Sequence, residues 1–404
     1  MTENEPENEV IMAFLKKAAF MHISLLLLGL LGVTCVGAPA VPIAPTQGSA
    51  TPIQPIRIEK IASAKVSETR EFWISLPDRY SESSEKYPVL YMMDGEFNFS
   101  SGVIGAVRHA ALLGEMPDFI IVGIKNTDRS KDIFPEEITY RDGSKDGGRA
   151  DQYIDFIRDE LIPYIDKTCR TENFRVLYGT SNTGFTAVYA LFRNPDLAHA
   201  YIAASATLAV PSFMAKRDEW IRGFKGGKRR LVAVMGENDL PTVLSHNGAL
   251  KEALDAFAPP DLTCRFLVIG NAGHVPADSL QQGLNALFEG WKIKQTLKES
   301  TFAEIRTLAD RRIEKYGVPG KLSEDGLKEL GESLLGQKKS AKAIEVLRYR
   351  VDLYPSSADA WVSLGDAHRQ SGQTAKARKC YNQALVIAPG HAAATAKLKE
   401  LDSK

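Results

Sequence analysis

From residue 56 to residue 293, short and nearly continuous apolar runs alternate with stretches in which apolar side chains recur every three or four positions. The first pattern is that of strands buried on both faces, the second that of helices with one covered stripe. Strands are predicted over 56–62, 71–76, 88–93, 119–125, 175–178, 200–205, 230–235 and 263–269, and helices over 102–113, 150–166, 184–193, 248–257 and 279–292. The first two strands are close enough to form an antiparallel hairpin. The later ones are joined by helical crossovers, which predicts an α/β fold built on a mostly parallel sheet flanked by helices.

After about residue 295 the strand pattern stops and a repeat begins. Leu330-Gly331 recurs as Leu364-Gly365, Ala343 as Ala377 and Pro355 as Pro389, each 34 residues later. That period, with Leu-Gly on a first helix, a small residue on a second and proline closing the unit, resembles the tetratricopeptide repeat over residues 322–390. Trp361, Tyr381 and Ala384 fall at that repeat's packing positions, and helical patterns at 302–315 and 391–401 are placed to cap the stack. A small all-α domain is therefore expected behind the α/β domain.

The N-terminus carries an address. Lys16 and Lys17 precede an apolar run over 18–36 and the small-residue exits Val36-Gly37-Ala38 and Ala38-Pro39-Ala40, the pattern of a secretory signal cleaved near Ala38 or Ala40. The acidic stretch 2–9 is unusual ahead of such a signal, and Met12 offers a more conventional start. The alternative is an uncleaved anchor, since the run approaches the roughly 20 residues that span a bilayer. Membrane attachment is expected only if this segment is retained or if Cys35 is lipidated. Residues 41–55, rich in Pro, Ala, Thr and Gln, read as an unstructured tether. The expected organisation is thus a signal at 1–40, a linker at 41–55, the α/β domain at 56–293 and the helical domain at 294–404, in an exported protein, periplasmic or secreted.

Composition narrows the chemistry. The 404 residues carry 50 basic and 50 acidic side chains, so bulk charge gives no attraction for nucleic acid. Four cysteines without a Cys-x-x-Cys pair, and no His-Glu-x-x-His, give no metal site by spacing. Cys169 and Cys264 read either as a disulfide or as buried free thiols.

The turn Gly179-Thr180-Ser181-Asn182-Thr183-Gly184 follows a predicted strand and precedes a predicted helix, the setting of a nucleophile elbow. There a serine hydroxyl projects above the sheet, and the backbone N–H of Asn182 faces the oxyanion it generates. Thr183 stands where the usual Gly-x-Ser-x-Gly pattern has its second glycine, and Gly184 follows it. In this fold an acid and a histidine follow the serine on later strand ends. Of seven histidines, His246 and His274 satisfy that order. His246 lies just before a predicted helix, whereas His274 lies in the glycine-rich loop 270–274 leaving the last strand, and is taken as the base. Gly236-Glu237-Asn238-Asp239 ends the preceding strand, and Asp239 is taken as the acid, with Glu237 in reserve.

With these, Tyr87-Pro88-Val89-Leu90-Tyr91-Met92-Met93-Asp94-Gly95, Val122-Gly123-Ile124-Lys125-Asn126-Thr127-Asp128-Arg129 followed by Asp132 and Pro135, and Gly273-His274 resemble the Putative esterase family. That group includes enterochelin esterases, feruloyl esterases, esterase D and mycolyltransferases. Five motifs in order cover residues 56–293. The resemblance implies an α/β-hydrolase fold and cofactor-free ester hydrolysis, with Ser181 as nucleophile, Asp239 as acid and His274 as base. It further implies a second oxyanion donor after the Asp94-Gly95 turn, the N–H of Glu96 beside that of Asn182. Asn126, Arg129 and Asp132 match a motif near the active-site mouth of relatives, either contacting substrate with Asp94 and Gly95 or bracing a strand end.

The expected reaction is hydrolysis of a small acyl, feruloyl or siderophore-type ester, or acyl transfer to another acceptor. A rival expectation is a catalytically degenerate hydrolase domain serving as a scaffold. The repeats at 322–390 would then dock a peptide or protein partner, self-associate, or pack on the α/β domain.

Overall fold

The computed structural model describes residues 55–78, 80–82, 85–139, 142–291, 302–316 and 324–403; the expected signal, Cys35 and nearly all of the expected linker lie outside them. Among the described residues no helix is long and apolar enough to cross a membrane.

Eight strands form one sheet: β1 (Arg57–Ser63), β2 (Glu68–Ser75), β3 (Tyr87–Met92), β4 (Ile120–Ile124), then, after a separate small hairpin of β5 (Glu137–Thr139) and β6 (Lys145–Gly147), β7 (Thr171–Thr180), β8 (Ala200–Ala204), β9 (Arg229–Gly236) and β10 (Leu262–Ile269). Their order is β1-β2-β4-β3-β7-β8-β9-β10, with β2 antiparallel to both its neighbours and every pair from β4 onward parallel. The central strands β3, β4 and β8 are buried at every position, as their unbroken apolar runs require.

The connections are α1 (Gly95–Ser100), α2 (Val103–Leu112), the single turn α3 (Arg129–Asp132), α4 (Ala150–Phe156) and α5 (Ile162–Thr168) joined by a π-helical turn at Ile157–Leu161, α6 (Ser181–Arg193), α7 (Pro211–Arg222), α8 (Pro241–Phe257) and α9 (Ser279–Leu287). Alternation along each strand divides the core into two layers. Val89, Tyr91 and Val122 face α4 to α8 through Phe156, Phe185, Phe213 and Leu250, while Leu90, Met92 and Ile121 face α2 and α9 through Val107, Leu284 and Leu287.

Three helices, α1, the single turn α3 and α7, have no counterpart in the expectations. Six residues are too few to display a helical period, and α7 buries only Phe213 and Ile221 among its twelve residues. The start of α8 also differs, at Pro241 rather than residue 248, because proline is favoured in a helix's first turn, where its missing N–H costs nothing.

Among the described residues six helices follow: α10 (Phe302–Tyr316), α11 (Glu324–Gly336), α12 (Ser340–Leu353), α13 (Ala358–Gln370), α14 (Thr374–Ile387) and α15 (Ala392–Asp402). The 34-residue repeat has a steric cause. A Cβ on Gly331 would lie 2.5 Å from Leu347, and one on Gly365 would lie 2.4 Å from Tyr381, so in both units the first helix approaches the second where it has no side chain. Ala343 and Ala377 are fully buried in the same two seams.

Helix α10, expected to cap the repeats, touches α12 there and also fastens its C-terminal end to the core of the α/β domain. Tyr316 packs on Phe288 and Trp291 at ring separations of 5.7 and 5.4 Å, and buried Arg312 lies over the Trp291 ring while donating to its carbonyl. The guanidinium of Arg230, near the start of β9, lies 5.4 Å from the Tyr316 ring, which places this contact at the N-terminal edge of the sheet. Cys169, Cys264 and Cys380 are free thiols, so the described structure follows the alternative without a disulfide.

Truncating a buried aromatic side chain costs about 3 kcal/mol or more. Tyr316→Ala is therefore expected to lower stability in urea titration by about that amount and to speed proteolytic release of the tail. His199, stacked on Phe174 and surrounded by Arg175, Arg229 and Arg230, is pulled down to about 4 by burial and then by these cations. Its folded pKa lies below its unfolded one, so its contribution is complete above about pH 6.5 and is lost as pH falls toward 4. Thermal melts of the wild type should show that loss, and His199→Gln should reduce it.

Candidate active site

Parallel strands deliver their C-terminal loops to one edge, and that topology brings together residues far apart in sequence. Ser181 follows β7, Asp239 follows β9 and His274 follows β10. Nε2 of His274 lies 2.9 Å from Ser181 Oγ, and its Nδ1 lies 2.7 Å from an oxygen of Asp239. The carboxylate is the acceptor in its contact with Nδ1, so the imidazole carries its hydrogen there and presents Nε2 as an acceptor to the seryl hydroxyl. The Asp239 side chain is fully buried, while that of His274 keeps 30% of its surface exposed.

The serine sits at a strained corner. Its φ is +54°, a left-handed conformation that costs an L residue about 1–2 kcal/mol, and the turn is held by what surrounds it. A Cβ on Gly179 would lie 2.1 Å from the Thr183 carbonyl oxygen, and one on Gly184 3.0 Å from that of Ala204. Gly184 is thus where the elbow meets β8. Thr183 is buried: its Oγ1 accepts the N–H of Thr180 at 2.9 Å and donates to Asp94 at 2.7 Å, so the residue that departs from the pattern ties the turn together.

Asn182 and Glu96 each occupy the second position of a helix, α6 and α1, where backbone N–H groups have no intrahelical acceptor. The arm carrying Glu96 is pinned at several points. Gly95 lies so close to β4 that a Cβ would come within 2.4 Å of the Gly123 carbonyl carbon, and the buried Asn98 side chain donates to Met93 O at 2.7 Å. Asn126 donates its backbone N–H and its side-chain amide to the Glu96 carboxylate, at 3.1 and 2.9 Å.

The remaining sequence candidates divide. Asn126 and Arg129 converge on Asp94, at 2.8 and 2.7 Å. Asp132 does not face the mouth. It is buried, ion-paired with the fully buried Arg70 and with Arg149, and burial raises its pKa against the pull of those two cations. It follows the bracing alternative. Glu237, the reserve acid, is exposed and accepts the Asn271 N–H at 2.9 Å, fastening the histidine loop. His246 lies inside α8 rather than before it, its Nδ1 2.7 Å from Thr242 O, so it is occupied elsewhere.

Ser205 escaped the sequence reading. Fully buried with φ +47°, it donates to Asp239 at 2.5 Å and accepts the N–H of Val275, next to His274, at 2.8 Å. Its only sequence signal is a polar residue ending a strand. Loops 236–239 and 270–274 are also joined directly, Asn238 N–H donating to Ala272 O at 2.8 Å.

Fold and site together define an α/β-hydrolase. Residues 63–262 match the family described as Putative esterase, and residues 358–391 match the tetratricopeptide repeat. The first of these segments therefore resembles an esterase family and the tail a tetratricopeptide repeat, which with the fold supports an ester-bond hydrolase. The solved structure of an IroE-like serine hydrolase from Shewanella oneidensis is similar with a TM-score of 0.65 at 26% identity, over 74% of this chain and 100% of that one. An uncharacterised protein from Capnocytophaga ochracea shares the fold over 87% of this chain and 100% of its own, with a TM-score of 0.58 at 14% identity. By sequence, the chain is 26% identical over 133 residues to the uncharacterized protein YbbA of Bacillus subtilis. That alignment covers 32% of this chain and about half, 53%, of that relative.

Leaving a buried carboxylate short of a partner costs about 1–3 kcal/mol. Ser205→Ala should accordingly lower kcat by about tenfold or more with KM little changed, measured by steady-state hydrolysis of a chromogenic short-chain ester. Wild-type kcat would mean that His274 keeps its orientation without the Ser205 hydroxyl.

Proposed function

We propose that the protein hydrolyses carboxylic esters through Ser181, His274 and Asp239 by way of an acyl-enzyme. The observation that carries this reading is the continuous hydrogen-bonded line from Ser181 Oγ through His274 to the buried Asp239. Ser181 attacks the ester carbonyl as Nε2 of His274 takes its proton. The N–H groups of Asn182 and Glu96 stabilise the tetrahedral oxyanion, and the imidazolium, held by Asp239, returns its proton to the leaving alcohol. Water activated by the same histidine then releases the acid. No cofactor enters this scheme.

For the substrate, the reading is a small acyl, feruloyl or siderophore-type ester. A cavity of about 260 Å³ lined by Leu208, Phe213, Met214 and Ala249, with Arg217 and His246 at its polar side, supports a compact and largely apolar substrate group. Leu208 in its wall follows Thr207, whose N–H donates to Ser181 O. The serine hydrolase named among the similar structures agrees with this class of chemistry. The tail contributes a groove of about 700 Å³ among α11, α13 and α15, walled by Leu335, Arg369, Gln370 and Glu400, which we assign to a peptide or protein partner. We keep the exported location, periplasmic or secreted, as part of the proposal.

Ser181→Ala should reduce turnover of a chromogenic ester to background and abolish labelling by a fluorophosphonate probe. Labelling of the wild type alone would exclude an inert scaffold; turnover persisting in the variant would remove Ser181 from the mechanism. Asp239→Asn, which offers His274 the wrong hydrogen-bond partner, should cost about 10⁴-fold in kcat. Product analysis with added alcohols separates hydrolysis from acyl transfer.

A further inference from the structure

Beyond Met92 and Tyr178, the last residues paired between β3 and β7, a single backbone hydrogen bond from Met93 N–H to Tyr178 O continues the ladder. The two chains then diverge. One becomes the arm Asp94-Gly95-Glu96 and the other the elbow Thr180-Ser181-Asn182. Two oxyanion donors therefore sit on separate loops, yet each must lie within about 2.7–3.1 Å of one developing charge.

The Asp94 carboxylate spans that gap. One of its oxygens accepts Asn126 Nδ2 at 2.8 Å and Arg129 Nε at 2.7 Å, and the other accepts Thr183 Oγ1 at 2.7 Å and Thr180 Oγ1 at 3.3 Å. Asp94 is only 5% exposed, and its φ of +53° is left-handed, so a strained backbone aims the carboxylate at the elbow. The same Asn126 amide that reaches Asp94 also holds the Glu96 carboxylate. On the elbow side, Thr183 couples the contact to the turn: its oxygen accepts the Thr180 N–H, and its one hydrogen serves Asp94 at 2.7 Å, the nearer and charged acceptor, over Thr180 O at 2.9 Å.

We propose that Asp94 is a positioning residue which sets the oxyanion arm in register with the nucleophile elbow, and that the Thr183 hydroxyl is the latch through which it acts. Thr183 is then not a weakened form of the glycine pattern but one half of a matched pair with Asp94. Neither residue touches the reacting atoms. Both act by fixing the distance between the N–H groups of Glu96 and Asn182. This inference rests on the proposed triad.

The test is a set of full-length variants assayed on one ester, with melting temperature, kcat and KM measured for each. Thr183→Val, which keeps the shape and removes the hydroxyl, should lower kcat by about 10- to 100-fold with KM changed by less than about threefold, because losing one oxyanion donor outright costs about 10²- to 10³-fold. Asp94→Asn should do the same, and Thr183→Ser should recover kcat to within about threefold of the wild type. Thr183→Gly, which restores the common motif, should be as impaired as Thr183→Val. The pH–rate profile should keep the wild-type midpoint in every variant, since the contact between His274 and Asp239 is untouched.

Wild-type kcat in Thr183→Val or Thr183→Gly would overturn the proposal, as would a loss of kcat that Thr183→Ser fails to recover. Should Thr183→Val not fold, Thr183→Gly and Asp94→Asn decide the question by the same criteria. Ser181→Ala in parallel separates the two levels. Turnover in Ser181→Ala sinks the triad itself, whereas an inactive Ser181→Ala beside fully active latch variants sinks only the latch.

Discussion

Placing a serine hydroxyl clear of the sheet, where it can meet both a base and a substrate, forces residue 181 into a left-handed conformation that its side chain disfavours. Much of the catalytic edge can be understood as what makes that corner tolerable. Gly179 removes the side chain that would strike Thr183, Gly184 lets α6 close on β8, and the Thr183 hydroxyl occupies the backbone N–H of Thr180. Each contact is small, but together they over-determine a conformation that would relax if any of them were alone.

The strain extends along the edge. Of the seven non-glycine residues with positive φ among the described residues, five stand on loops at the C-terminal ends of strands: Asp94, Ser181, Ser205, Asn271 and Val275. They belong to the arm, the elbow, the end of β8 and the histidine loop. Each is next to, or within a few residues of, a group in the proposed machinery. Side-chain hydrogen bonds hold them: the Asp94 carboxylate joins the arm to the elbow, the Ser205 hydroxyl joins the acid to the histidine loop, and Glu237 fastens that loop again at Asn271. These bonds join loops beyond the last ladder hydrogen bond, where the sheet no longer sets the spacing.

The opposite edge has a different character. There α10 is held by ring packing among Phe288, Trp291 and Tyr316, by Arg312 over an indole, and by the guanidinium of Arg230. This is an attachment of aromatic rings with arginines laid over them, at the edge of the sheet away from Ser181, Asp239 and His274. The repeats behind it bury their own seams through Gly331, Gly365 and small residues.

Local pattern alone carried a good deal of this protein. Buried parallel strands must be apolar at nearly every position, so β3, β4, β8 and β9 stood out, and a 34-residue period is steric necessity made visible at Gly331 and Gly365. That Ser181, Asp239 and His274 meet was legible because the chain order of strand ends restricts which residues can come together. Short or weakly periodic elements such as α1 and α7 were not legible, since too few of their positions are buried to impose a pattern. Tertiary structure alone decided the contacts of Ser205, Asp94 and Asp132. Each is a single polar residue whose meaning depends on which donors a different loop brings within 3 Å. It also decided that Thr183 supports the elbow, because a hydroxyl's value is set by the carboxylate that faces it across space, and no spacing along the chain records that distance.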